Sequence, residues 1–186
     1  MSEVRLQVKN LCKNFGITKA VQNVSFNVNK GEVHALIGEN GSGKSTLCKL
    51  LLGLYKPTKG NVYFGNNFKN NPKNLNASAV FQDFCRYKIS LKENICISNV
   101  NTEIDFNTFR EFCKKNGIDV NEFDSGEDTI LSREFDGMEL SGGQWQLLGI
   151  TRAYFRDADF VILDEPSASL DPITEDRIFR QLYELS

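Results

Sequence analysis

Gly38-Glu39-Asn40-Gly41-Ser42-Gly43-Lys44-Ser45-Thr46 follows the apolar run Val33, Ala35, Leu36, Ile37 and leads into Leu47-Cys48-Lys49-Leu50-Leu51-Leu52. The order reads as a buried strand, a tight glycine-rich loop and the start of a helix. Glycines let the backbone turn successive N–H groups toward one point, and the unsatisfied N–H groups of a new helix add positive potential there. A phosphate chain fits such a cradle. Lys44 is expected to reach the terminal phosphates as a point charge, and the Ser45 hydroxyl to complete the shell of a Mg²⁺ held mostly by water and phosphate oxygens.

Outward from that loop, the 186 residues are expected to make a single domain, with room for a subdomain, and a substantial core. A net charge of −2 gives no basic excess for a nucleic-acid partner, so none is expected. Cys12, Cys48, Cys85, Cys96 and Cys113 are widely spaced, with no C-x-x-C pair, and read as reduced thiols of a cytoplasmic protein. The sole histidine, His34, lies in the expected strand before the loop and is read as structural, not as a metal ligand. No signal peptide opens the chain, and no apolar run approaches the roughly 20 residues of a membrane span. Any membrane role is therefore expected to come through a partner or a further segment.

Val4, Leu6 and Val8 alternate as a strand, Asn14-Phe15-Gly16 turns the chain, and Val24, Phe26 and Val28 alternate again. These early strands are expected to be antiparallel. A helix from about Lys44 to Gly53 is followed by short strands at Asn61–Phe64 and Ala79–Phe81, with a polar loop from Asn66 to Asn76 between them. From Asp83 to Leu140 the patterns are helical. One helix spans about Asp105 to Asn116, with Phe106, Phe109, Phe112 and Cys113 on one face and Gly117 as a stop. Ser141-Gly142-Gly143 opens another, running to about Arg156. Phe160-Val161-Ile162-Leu163 reads as a central strand buried on both faces, ending in Asp164-Glu165-Pro166; after Leu170-Asp171-Pro172 a last helix begins near Ile173.

Asp164 and Glu165 stand where a parallel strand leaves its sheet, the place where open α/β sheets put ligand groups. Asp164 suits the Mg²⁺ shell and Glu165 the attacking water, as general base or water-positioner. Leu140-Ser141-Gly142-Gly143-Gln144 offers a hydroxyl, an amide and backbone N–H groups at a second helix N-terminus, hence a second anion site. One nucleotide does not need two such helices from one subunit. The spacing implies a dimer in which each nucleotide is gripped by the loop of one copy and the glycine pair of the other.

With these residues in place, the chain resembles the nucleotide-binding domain of an ABC transporter along essentially its whole length. Gly38–Thr46 is similar to the Walker A loop, Leu140–Gln144 to the LSGGQ signature, Phe160–Glu165 to the Walker B strand with its catalytic glutamate, and Ser169-Leu170-Asp171 to the D-loop. The resemblance makes Gln82 the Q-loop glutamine, sensing Mg²⁺ and facing the membrane-domain contact, and Phe15 the aromatic that stacks on adenine. It implies an α/β fold: a P-loop NTPase core sheet (residues 1–82 and 141–186), an N-terminal antiparallel β subdomain, and a helical signature subdomain (residues 83–140). It also implies ATP and Mg²⁺ as ligands, and ATP hydrolysis as the activity. The implied partners are a homo- or heterodimer of nucleotide-binding domains and transmembrane transporter subunits, with the chain peripheral on the cytoplasmic face of the membrane.

Two departures stand out. Leu147 occupies a position where the family usually has arginine, and the sequence stops before the strand that carries the family's switch histidine. The resemblance therefore implies a domain incomplete at its C-terminus, less stable than a complete one and prone to associate. Glu134-Phe135-Asp136-Gly137 and Trp145-Gln146 resemble peptide or lipid exporters, whereas Gly31-Glu32-Val33-His34-Ala35 resembles sugar importers; export is the favoured direction. The alternatives are a soluble ABC-type ATPase unconnected with transport, and a nucleotide-binding fragment that does not hydrolyse. The span between Thr46 and Ser141 is too short for the coiled-coil arms of the DNA-repair relatives.

Overall fold

The computed structural model describes residues 3–65 and 76–165, together with Pro172, Glu175, Asp176 and Arg180. The chain divides into two compact units, the first built on residues up to Ala77 and the second beginning at Ser78.

In the first unit, β1 (Val4–Phe15) lies between β2 (Thr18–Asn29) and β3 (Lys59–Phe64), antiparallel to both. Leu6 faces Val28 and Phe64, and Val8 faces Phe26 and Val62, so the expected antiparallel arrangement is present. β1 runs well beyond the expected Val4–Val8. The alternation breaks at Asn10, which takes a left-handed φ of 47° where the register shifts between Val8 and Leu11. A bulge moves the inward set by one position, and Leu11 returns to the core fully buried. The Asn10 N–H donates to Ser25 Oγ (2.8 Å), giving the unpaired bulge donor a partner.

The glycine-rich loop leads into α1 (Lys44–Leu51), whose Leu47, Cys48, Leu50 and Leu51 are buried. The stretch before the loop differs from expectation. Residues 33–37 form no strand: Val33, Leu36 and Ile37 are 42%, 38% and 96% exposed. A strand exists only through ladder partners, and among the described residues of its own unit none pairs with this run.

In the second unit, β4 (Ala77–Val80) pairs with β5 (Phe160–Leu163), and the Asp164 N–H donates to Val80 O at 2.8 Å. Only Ile162 of β5 is buried, so burial on both faces is not observed within this unit. The rest is helical, as expected: α2 (Leu91–Cys96), α3 (Phe106–Lys115) and α4 (Gly142–Phe155), joined by short 3₁₀ turns. Each helix start follows from a capping residue. Ser90 and Glu93 exchange bonds in a capping box, the Asp105 carboxylate accepts from the N–H groups of Asn107 and Thr108, and Ser141 and Gln144 form a second box. The Thr108 hydroxyl and backbone bonds hold the Asp105 carboxyl below its ordinary range, so this cap is intact above the usual carboxylate pKa and is lost as pH falls.

Phe109 and Cys113 form the buried face of α3, Phe112 meets Phe155 edge-on at 5.5 Å, and Phe106 departs from expectation. Phe106 is 48% exposed, its ring covered by the Arg110 guanidinium at 4.1 Å. α4 is the central helix. Residues 145–151 are buried without a break, as in a helix surrounded by its own core. Leu147 is among them, which accounts for leucine there: a charge at that buried position would need a partner.

Asn94 of α2 is fully buried and spends its amide on the backbone, donating to Tyr87 O, Ile89 O and Ser90 O at 3.0, 3.2 and 3.1 Å. Asn94→Ala removes those donors while their acceptors stay buried, and is expected to cost about 2 kcal/mol. The denaturant midpoint at unchanged slope measures it.

Candidate functional site

In the first unit the glycine-rich loop has the geometry of an anion cradle. Gly41 and Gly43 take φ of 83° and 95°, and a Cβ on Gly43 would stand 2.2 Å from Ala20 O. Both facts restrict the position to glycine. Gly43 precedes α1 with no side-chain cap, so the N–H groups of the first turn have no intrahelical acceptor and point out of the helix end. Lys44 Nζ donates to Gly38 O (2.7 Å) and Glu39 O (3.0 Å), which curls the ammonium over the loop it belongs to. Glu39, Asn40, Gly41, Ser42 and Ser45 are exposed, while Gly43, Lys44 and Thr46 are half-buried. The donor set fits a phosphate chain: backbone N–H groups, the Lys44 ammonium, and the Ser45 hydroxyl for a hard cation.

Phe15, the expected adenine platform, closes β1 beside the turn at Gly16 and Ile17. Its ring is 46% exposed, meets Tyr55 edge-on at 5.5 Å, and has Lys13 Nζ 4.9 Å from its centroid. One face is therefore available to a flat ligand. His34 stacks on Phe26 at 5.2 Å and pairs with Glu32 at 3.5 Å, in keeping with a structural role.

In the second unit, β5 delivers Asp164 and Glu165. Asp164 is buried, its N–H held by Val80 O. Glu165 is half-buried with φ of 55°, a left-handed backbone that costs a non-glycine residue about 1–2 kcal/mol. Gln82 is exposed just beyond β4, the strand that pairs with β5. Among the described residues no cluster of three or more His, Cys, Asp or Glu side chains forms a metal site, so a cation here relies on water and phosphate oxygens as well. Asp171, with Ser169 and Leu170, lies outside the described residues.

Ser141 and Gln144 are committed to each other. Ser141 Oγ accepts from the Gln144 N–H (3.2 Å), and Gln144 Oε1 accepts from the Ser141 N–H (2.8 Å). Ser141 and Gly142 are exposed and Gly143 half-buried, so the tip presents the N–H groups of its glycines outward from a 14-residue helix. The side chains chosen from the sequence as anion ligands thus also build the cap that aims those N–H groups.

Beyond Gln82, which the resemblance places at the membrane-domain contact, Asp83, Cys85, Arg86 and Tyr87 are exposed. Lys88 reaches Glu134 Oε2 at 2.5 Å, bringing this segment beside the Glu134–Gly137 turn. Both ends of that pair are more than half exposed, so it orients more than it stabilises. Sequence reasoning missed Arg152. Its Nε donates to Asn94 O (2.8 Å), Nη2 to Asn94 Oδ1 (2.8 Å) and Nη1 to Cys85 O (3.0 Å), and its guanidinium lies 4.9 Å over the Tyr87 ring. Burial draws its pKa below the ordinary arginine value. Nothing in the spacing of a lone arginine in a largely apolar run announces such contacts.

Among the described residues no helix is long and apolar enough to cross a membrane. The family model for the ABC transporter matches residues 21–168. The nisin transport ATP-binding protein of Lactococcus lactis subsp. lactis is 38% identical over 174 residues, 90% of this chain and 29% of that protein. The arabinose import ATP-binding protein of Mannheimia succiniciproducens is 33% identical over 186 residues, 97% of this chain and 36% of its own length. A solved ATP-binding cassette of an ABC transporter superposes with a TM-score of 0.76 at 29% identity, covering 100% of this chain and 77% of that one. The chain thus spans about a third of the length of these curated relatives. A tight glycine loop ahead of α1, a capped glycine tip ahead of α4, an acidic pair closing β5 and a family match over most of the residues lead to one conclusion: the chain belongs to the ABC transporter family.

Proposed function

We propose that this chain is the ATP-binding and hydrolysing part of an ABC transporter, and that it works as one of a pair of such domains. The observation that carries the reading is the uncapped N-terminus of α1 behind Gly43, with Lys44 poised on the loop carbonyls. On binding, the Lys44 ammonium exchanges those carbonyls for β- and γ-phosphate oxygens, and the loop N–H groups hold the remaining phosphate charge. Mg²⁺, when bound, would neutralise phosphate charge; the resemblance gives Ser45, Gln82 and Asp164 the part of holding it, and Asp171 a part in binding the nucleotide. The Glu165 carboxylate orients the attacking water and takes its proton. Phe15 carries the adenine, and Gly38–Thr46 the triphosphate.

The Ser141–Gln144 tip caps the nucleotide held by the partner domain, which explains why its N–H groups face outward. Transport rests on a membrane partner meeting the Asp83–Tyr87 segment. Export is favoured over import by the resemblance of the Glu134–Gly137 turn and Trp145-Gln146 to exporters, although an arabinose import relative is also matched. The residue assignments divide as read from the sequence, with residues 1–82 and 141–186 as the nucleotide-binding core and 83–140 as the helical subdomain.

Ser141→Arg places a long cation at the tip. ATP binding by the monomer is expected to persist while the ATP-dependent dimer disappears from sedimentation velocity profiles. A variant that still dimerises with ATP would remove the tip from the interface.

A further inference from the structure

We propose that Arg152 and Gly149 are positioning residues that fasten the exposed segment after Gln82 to the signature helix, so that a displacement of that segment carries the Ser141–Gln144 tip with it. The inference deepens the reading above and rests on it for its consequence, but its structural content is independent of nucleotide.

The segment from Gln82 to Lys88 has neither helix nor strand, and most of it is exposed. A stretch without ladder bonds keeps one conformation only if side chains hold it. Here the attachments converge on α4. The Phe84 ring lies on Gly149, where a Cβ would stand 3.2 Å from Cδ2 and Cε2. Cys85 O accepts from Arg152 Nη1, and the Tyr87 ring lies under the same guanidinium. Asn94 locks the far end, accepting from Arg152 while donating to Tyr87 O, Ile89 O and Ser90 O.

Among the described residues the partners of Arg152 are neutral oxygens and an aromatic face, with no carboxylate. A desolvated guanidinium without a counter-charge is a poor way to gain stability. Its planar fork, which joins three acceptors on two separate elements, is a good way to fix geometry. Gly149 is equally unexpected in the middle of a buried helix, where alanine is the better helix former. A glycine there leaves room for the Phe84 ring.

Gly149 and Arg152 belong to the same continuous helix as the capped tip. An α-helix advances 1.5 Å per residue and resists bending, so force applied near Gly149 arrives roughly 12 Å away at Ser141 with little loss. Whatever binds at Asp83–Tyr87 therefore acts on the tip through α4.

The test is hydrogen exchange of the 186-residue chain without nucleotide, in wild type, Gly149→Ala and Arg152→Lys, following peptides 82–90, 141–149 and 106–115. Both variants are expected to speed exchange at 82–90 and 141–149 together, by about tenfold, and to leave α3 at 106–115 unchanged. Alanine by itself should slow exchange in α4, so the sign separates coupling from a merely local role. Slower or unaltered exchange at 141–149 in Gly149→Ala overturns the proposal, as does a uniform rise that includes 106–115. Phe84→Leu added to Gly149→Ala makes room for the new methyl and should restore wild-type exchange at both peptides. That pair decides the matter even if Arg152→Lys does not fold. Protection of residues 38–47 on adding ATP with Mg²⁺ reports separately on the nucleotide reading: its absence sinks that reading and leaves the comparison without nucleotide intact.

Discussion

Lys44→Ala is expected to weaken ATP binding by roughly 30- to 700-fold, the equivalent of about 2–4 kcal/mol for charge-assisted bonds to the terminal phosphates. The same substitution should barely change folding. Lys44 is half-buried, and its partners in the unliganded loop are two carbonyl oxygens near solvent, which water can satisfy when the ammonium is gone. The two measurements together are diagnostic: calorimetric ATP affinity falls while the thermal midpoint stays within a few degrees of wild type. Unchanged affinity would contradict the assignment of the loop. A collapse of both would mean that Lys44 stabilises the loop through its bonds to Gly38 O and Glu39 O more than it serves a ligand. AMP binding supplies a control, since a ligand without terminal phosphates should lose much less.

Glu165→Gln is expected to slow ATP hydrolysis by roughly 10²–10⁴ while retaining ATP affinity. Glutamine keeps the shape and can still donate or accept a hydrogen bond, but it takes no proton from water. The left-handed backbone at Glu165 sharpens the comparison, because any residue but glycine or asparagine carries that strain, so Glu and Gln share it and the rate difference reports chemistry alone. Slowed hydrolysis should also prolong the ATP-bound dimer, seen as a stable faster-sedimenting species. The rate is to be measured under single-turnover conditions, so that product release does not mask it. Turnover at the wild-type rate would take Glu165 out of the mechanism.

Local signals placed most of the candidate site. Gly43 is legible because a left-handed backbone pressed against Ala20 O tolerates no other residue, and the loop pattern reports it directly. Ser141 with Gln144, and Asp105 with the helix that follows, are legible because a cap is a bond between residues three apart. β1 extends well past the stretch that its alternation predicts. Its alternation fails at the Asn10 bulge, and only pairing with β2 shows that Leu11 resumes the inward row. Residues 33–37 fail in the opposite sense: an apolar run predicts a buried strand, but strand state depends on partners that hydropathy does not contain. Phe106 has the right spacing for the α3 core and still lies half in solvent, with Arg110 on the next turn over its ring.

The amino-acid order by itself determined the tight glycine loop before α1, the helix start at Ser141, the acidic end of β5 and the family, since each depends on backbone freedom or on near neighbours in the chain. Only the tertiary structure decided that Leu147 belongs in a core, that the Phe84 ring packs closely on Gly149, and that Arg152 holds Cys85, Tyr87 and Asn94 together. Those contacts join residues dozens of positions apart, and their energy exists only once α2 and α4 bring the side chains within reach.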